Sequence, residues 1–156
     1  RAPTSGEQPD AFYSIKDLDA ALALGDFILI STPLTSETKG LISTFQFKNM
    51  KSSAIILNIA RGEIIEEKAL YQACKERLIG GAFIDTWYQY PTGMSDRTPP
   101  SRFNFNELDN VIMSPHASAW TDALIRRRTR FIAENLNRLS KGEELLNVVK
   151  QSDKIS

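Results

Sequence analysis

Four short apolar runs limit what this chain can fold into: Phe27 to Thr32, Ala54 to Asn58, Gly81 to Ile84 and Val111 to Ser114. The second is almost wholly apolar without alternation, the pattern of a strand in a parallel sheet with helices over both faces. Between the runs lie segments of helical spacing, and this alternation of element types predicts an α/β fold built on a parallel sheet. Ligands of such sheets bind beyond the carboxyl ends of the strands. Arg61, Asp85 and His116 each fall just after a run and are therefore the first candidates for a site.

The helical segments can be placed in outline. Ile15 to Leu24 has apolar residues at 15, 18, 21, 22 and 24, and Gly25 reads as its stop. Ser43 can cap a short helix reaching Phe47 or Asn49. Across Glu66 to Leu78, Ala69, Leu70, Ala73, Cys74 and Leu78 form one stripe, which assigns Cys74 to the core rather than to reactive chemistry. The Gly80-Gly81 pair ends that helix and leads into the third strand. Tyr88 to Asn106, with Pro91, Gly93, Pro99 and Pro100, is a long irregular loop beside the presumed site, either a lid or binding loop or a disordered connector. Thr121 can cap a last helix to about Ser140, with Gly142 as its exit. We read 1–150 as one domain and 151–156 as a tail.

Composition narrows the function. The 156 residues suffice for one domain with a sizeable core, and 42% of them are hydrophobic. Nineteen basic and nineteen acidic residues balance, which argues against a dedicated nucleic-acid or membrane-surface binder. No apolar stretch approaches the roughly 20 residues that span a bilayer. With Cys74 as the sole cysteine no intrachain disulfide forms, and the cytosol is the expected compartment. A single histidine and a single cysteine exclude histidine-rich and cysteine-rich zinc sites, and no metal site is expected. Arg126, Arg127, Arg128 and Arg130 could grip phosphates, but the neutral charge and the lack of interleaved aromatics favour a solvated or subunit-facing surface.

Two of the candidates have chemistry suited to an anionic substrate. Arg61 in Asn58-Ile59-Ala60-Arg61-Gly62 can hold both oxygens of a carboxylate, with Gly62 easing the backbone as the guanidinium turns into the crevice. The structural alternative pairs Arg61 with Glu63 or Asp85. His116 follows Pro115, which stiffens its approach, and a histidine is suited to exchanging a proton with an alcohol or carbonyl. Its alternative is a solvated loop histidine.

Several ordered motifs resemble the D-isomer-specific 2-hydroxyacid dehydrogenases: Pro33-Leu34-Thr35 with Glu37-Thr38 and Gly40-Leu41-Ile42, then Asn58-Ile59-Ala60-Arg61-Gly62, Gly81-Ala82-Phe83-Ile84-Asp85 and Ser114-Pro115-His116. The resemblance runs from about Leu18 to Val149. It implies hydride transfer between NAD, or NADP, and a small 2-hydroxy or 2-keto acid. By position, Arg61 binds the substrate carboxylate and His116 is the acid/base. Asp85 holds the nicotinamide carboxamide, Pro33 and Ile59 lie along the cofactor, and Ala117 and Ser118 flank the histidine.

The chain departs from the family pattern twice. The family's third catalytic residue is a glutamate before a proline, and here Tyr90 stands before Pro91; the formate dehydrogenase relatives carry a glutamine, and Gln89 is one position away. A tyrosine can hydrogen-bond an imidazole but brings no charge near neutrality. The second departure is that the glycine-rich turn that seats the cofactor pyrophosphate is absent from the sequence. The expected fold is thus a partial Rossmann-type sheet with flanking helices, its first strands and that turn missing. Such a portion of a longer protein would be inactive alone and would form a homodimer or pair with the missing upstream segment along the edge of Phe27 to Thr32. Arg1 falls where the family's second strand ends and would favour NADP, against an expectation of NAD. The competing reading is a non-catalytic nucleotide-sensing or interaction module that keeps the dehydrogenase fold, with Tyr90 as its support.

Overall fold

All four apolar runs become strands: β1 (Phe27–Ile30), β2 (Ile55–Asn58), β3 (Gly81–Ile84) and β4 (Val111–Met113). They pair in parallel in the order β1-β2-β3-β4. Our computed structural model describes residues 9–148, so Arg1 and the tail at 151–156 lie outside the described residues. Contacts divide the chain into two compact units, Arg1–Ser118 and Ala119–Ser156.

In the first unit, α1 (Leu18–Leu24), α2 (Thr44–Asn49) and α3 (Glu67–Lys75) pack side by side. Ser43 caps α2 as its sequence predicts, in a reciprocal arrangement with Gln46. The predicted first helix opens instead as a 3-10 turn, Ile15–Asp17. The stripe of α3 buries Ala69, Leu70, Ala73 and Cys74. Burial pushes the Cys74 thiol up to about 12, so it stays protonated core. The helix stops earlier than the stripe suggests. Arg77 takes a left-handed φ of 56° and turns the chain before the glycine pair is reached.

One sheet face meets these helices: Ile30, Ile56, Ala82 and Ile84 share a core with Leu22, Phe47 and Leu70. The strands do not alternate in sequence, yet their burial does. Leu29, Leu57, Phe83 and Ile112 stand in register across the other face, and Leu29 and Ile112 are exposed. Within this unit, α1, α2 and α3 share the core of the first of these faces.

In the second unit, α4 (Leu124–Lys141) begins after a turn in which the Leu124 N–H bonds the Thr121 carbonyl, later than Thr121 alone predicts. Gly142 ends it with a left-handed φ of 69°. Arg126, Arg127, Arg128 and Arg130 are exposed. No helix among the described residues is long and apolar enough to cross a membrane.

Candidate functional site

Because all four strands run the same way, the segments after them gather at one end of the sheet. At the end of β2 the Asn58 side chain is buried and braces the next turn. Its Oδ1 accepts from the Ala60 N–H at 3.1 Å, and its Nδ2 donates to the Arg61 carbonyl at 2.9 Å. Arg61 is extended and exposed, and its guanidinium donates to the Ala60 carbonyl at 2.6 Å. Glu63 pairs with Lys39 at 2.7 Å and Asp85 is occupied elsewhere, so neither proposed structural partner engages Arg61. The role expected of Gly62 is corrected: a Cβ there would lie 2.6 Å from the Trp87 carbonyl oxygen, so the glycine permits close approach of two loops.

Arg61, Ile59 and Ala60 line a crevice of about 570 Å³ with Ser31, Thr32, Pro33 and Leu34, beyond the ends of β1 and β2. Pro33 and Ile59 thus line the same crevice.

A second group forms beyond β3 and β4. Asp85 is 1% exposed. It accepts from the Ala117 N–H at 2.9 Å, the Ser118 N–H at 3.2 Å and the Ser118 hydroxyl at 2.6 Å. Burial opposes its ionisation, but these hydrogen bonds, together with one from the Ser114 side chain, outweigh that cost and hold the carboxyl below the usual range. Asp85 therefore shapes the turn that carries His116. That histidine is exposed and adopts a left-handed φ of 59°, uncommon for a residue with a Cβ and a frequent mark of functional turns.

Tyr90 and His116 meet. The Tyr90 hydroxyl lies 3.1 Å from His116 Nδ1 and accepts from the Trp87 N–H at 2.9 Å. The Trp87 indole donates to the Ser114 carbonyl at 2.9 Å, tying the turn after β3 to the turn after β4. Trp87, Tyr90, Pro91, Met113 and Pro115 help line an apolar cleft of about 380 Å³. The structure thus assembles the Arg61 crevice and the Asp85–Tyr90–His116 group at one end of the sheet, without a direct bond between Arg61 and His116 among the described residues.

Sequence reasoning missed Asn58 and Trp87 as supports. A buried amide closing an apolar strand was the available signal for Asn58, since such side chains bond nearby backbone. It also missed Glu67, which pins the long loop by accepting from the Ser101 hydroxyl at 2.9 Å and from the Arg102 N–H and Nε, each at 2.8 Å. Burial works against the Glu67 charge, but the Arg102 and Ser101 bonds prevail and lower its pKa.

A parallel sheet whose strand ends face a crevice, with an arginine, an aspartate and a histidine on the turns, defines part of a dinucleotide-binding α/β domain. Residues 1–118 match the family of the D-isomer specific 2-hydroxyacid dehydrogenases, NAD binding domain, and the chain belongs to that family. It is 36% identical over 134 residues to a glyoxylate reductase of Korarchaeum cryptofilum, covering 86% of this chain and 38% of that protein. It is also 36% identical to a D-3-phosphoglycerate dehydrogenase of Methanocaldococcus jannaschii, covering 86% and 24%. The chain thus spans well under half the length of these relatives. The structure resembles D-lactate dehydrogenase with NAD+ from Lactobacillus jensenii, with a TM-score of 0.79, 29% identity and coverage of 91% and 47%.

Proposed function

We propose that this chain is the cofactor-side portion of an NAD-dependent dehydrogenase of small 2-hydroxy and 2-keto acids, with NADP as the alternative cofactor. The observation that carries the reading is the crevice beyond β2, rimmed by an Arg61 that neither Glu63 nor Asp85 neutralises. The apolar wall of Pro33, Leu34 and Ile59 suits a flat ring. Asp85, at the end of β3, would take the carboxamide N–H; its carboxylate already accepts from Ala117, Ser118 and Ser114. The residues fit the nicotinamide end of the cofactor, while no glycine-rich pyrophosphate turn occurs in the sequence.

When bound, the nicotinamide gives or takes the hydride. Arg61 grips the substrate carboxylate with its planar fork and so orients the neighbouring carbon. His116 exchanges a proton with the substrate oxygen through Nε2, which has no partner among the described residues. Ala117 and Ser118 fix the turn beside the ring through Asp85.

In this reading 1–150 forms one cofactor-binding domain of a cytosolic protein and is inactive without an upstream substrate domain. The outer edge of β1 bears no strand among the described residues and would pair with that segment or a second copy. Sedimentation of the chain at rising concentration tests the second copy.

In the full-length protein, His116→Ala should lower turnover of glyoxylate, hydroxypyruvate or a larger 2-keto acid by about 100- to 10,000-fold. Retained turnover would sink the assignment. NADH titration of the present chain, followed through Trp87 fluorescence, should show saturable binding if the crevice suffices. Absence of binding by the folded chain would make the glycine-rich turn indispensable. The contact of a tyrosine with His116, where the family pattern has a carboxylate, favours a second reading, a non-catalytic nucleotide sensor or interaction module. A full-length protein that binds NADH yet reduces none of a broad keto-acid panel would establish it.

A further inference from the structure

Tyr90 meets the sole histidine of the chain at Nδ1, and its oxygen is already approached from another side. The Trp87 N–H donates to that oxygen at 2.9 Å, while Nδ1 lies 3.1 Å away. A phenolic oxygen delocalises one lone pair into its ring and accepts two hydrogen bonds poorly. With Trp87 taking the good acceptor position, the hydroxyl retains its proton as the group to offer His116. We infer that Tyr90 is a positioning residue that donates to His116 Nδ1 and thereby holds the neutral imidazole with its proton on Nε2.

A carboxylate in the same place can only accept, so it selects the opposite tautomer, Nδ1–H with a bare Nε2. The exchange of a carboxylate for a hydroxyl therefore reverses which ring nitrogen carries the proton. Trp87 fixes the arrangement, because its indole is anchored on the Ser114 carbonyl and its backbone N–H stays aimed at the Tyr90 oxygen. The left-handed backbone at His116 presents the ring from a constrained turn. On the dehydrogenase reading above, on which this consequence rests, the Nε2–H of the neutral ring hydrogen-bonds the carbonyl oxygen of a bound keto acid. Reduction itself draws on a ring that has taken a solvent proton at Nδ1 and gives up the one on Nε2, returning to neutral. The Nε2–H of the neutral ring cannot accept the hydroxyl proton of a hydroxy acid. The neutral site thus favours binding for reduction over binding for oxidation.

The test is a two-bond proton–nitrogen correlation spectrum of the chain labelled at histidine nitrogen, recorded in alkaline solution, where His116 gives the only ring signals. The expected pattern is Nε2–H, with the Nδ1 resonance displaced by the hydrogen bond it accepts. Tyr90→Phe should move Nδ1 towards the unbonded position, and Tyr90→Glu should transfer the proton to Nδ1. A wild-type spectrum dominated by Nδ1–H overturns the inference, as does an Nδ1 resonance unmoved in Tyr90→Phe. If a variant fails to fold, the displacement of the wild-type Nδ1 resonance decides, because a free histidine also prefers Nε2–H but shows Nδ1 at the unbonded position. Because it needs no turnover, an inactive full-length protein with the expected spectrum counts against the dehydrogenase reading alone.

Discussion

A methyl group at residue 62 would press into the Trp87 carbonyl, which is backbone and cannot rotate away. Gly62→Ala should therefore destabilise the fold by about 1–3 kcal/mol, as overpacking does elsewhere. Urea unfolding measures this, and an unchanged midpoint would show that the two loops separate freely. The sequence placed a glycine beside Arg61 but could not say what it approached, since Trp87 arrives from the turn after the next strand. Arg61, Asp85 and His116 were legible because each follows an apolar run. The contact of Tyr90 with His116 was expected as a possibility of residue type; that Trp87 occupies the same hydroxyl was not, because a backbone N–H leaves no mark in composition.

Strands were the most legible elements: β3 has the predicted bounds, and the others lose only a residue or two at their ends. Helix ends were less legible, as α3 shows, because Arg77 adopts a left-handed turn that its residue type does not advertise. The long loop read equally well as a lid or as disorder. In the structure it is pinned: the Tyr88 and Gln89 N–H groups both bond the Pro100 carbonyl, and Phe103 stacks on Tyr71 of α3. Glu67 holds the returning arm of this loop from the start of α3. Glu67→Ala removes the acceptor of both the Ser101 hydroxyl and the Arg102 N–H, a loss of about 1–3 kcal/mol. Hydrogen exchange at the Arg102 amide should then quicken by about tenfold or more, if opening of the loop limits exchange. Unchanged protection would place the anchoring in the Tyr71–Phe103–Phe105 aromatic cluster instead.

Across the whole molecule, three hydrogen-bonded carboxylates contribute to the response to acid: the buried Asp85 and Glu67, and Asp96 of the long loop, which accepts from Thr92 and Thr98. Asp85 and Glu67 both have folded pKa values lowered by hydrogen bonds that outweigh burial. The unfolded chain then binds more protons, so their stabilisation is fully present above the ordinary carboxylate range, about 4, and is lost as pH falls through the lower folded values. The urea midpoint should decline in acid, and Glu67→Gln with Asp85→Asn should flatten that decline at the cost of a less stable protein at neutral pH. An identical slope in the double variant would assign acid sensitivity to other groups. The sequence by itself determined the sheet, its parallel class and the strand ends at which chemistry collects, because apolar runs and breaker residues act locally. Only the tertiary structure decided which face those strands bury, why Gly62 bears no side chain and which atoms Asp85, Glu67 and Tyr90 bond. Those outcomes depend on groups distant in sequence meeting within about 3 Å, a distance that hydrogen bonding requires and no local pattern encodes.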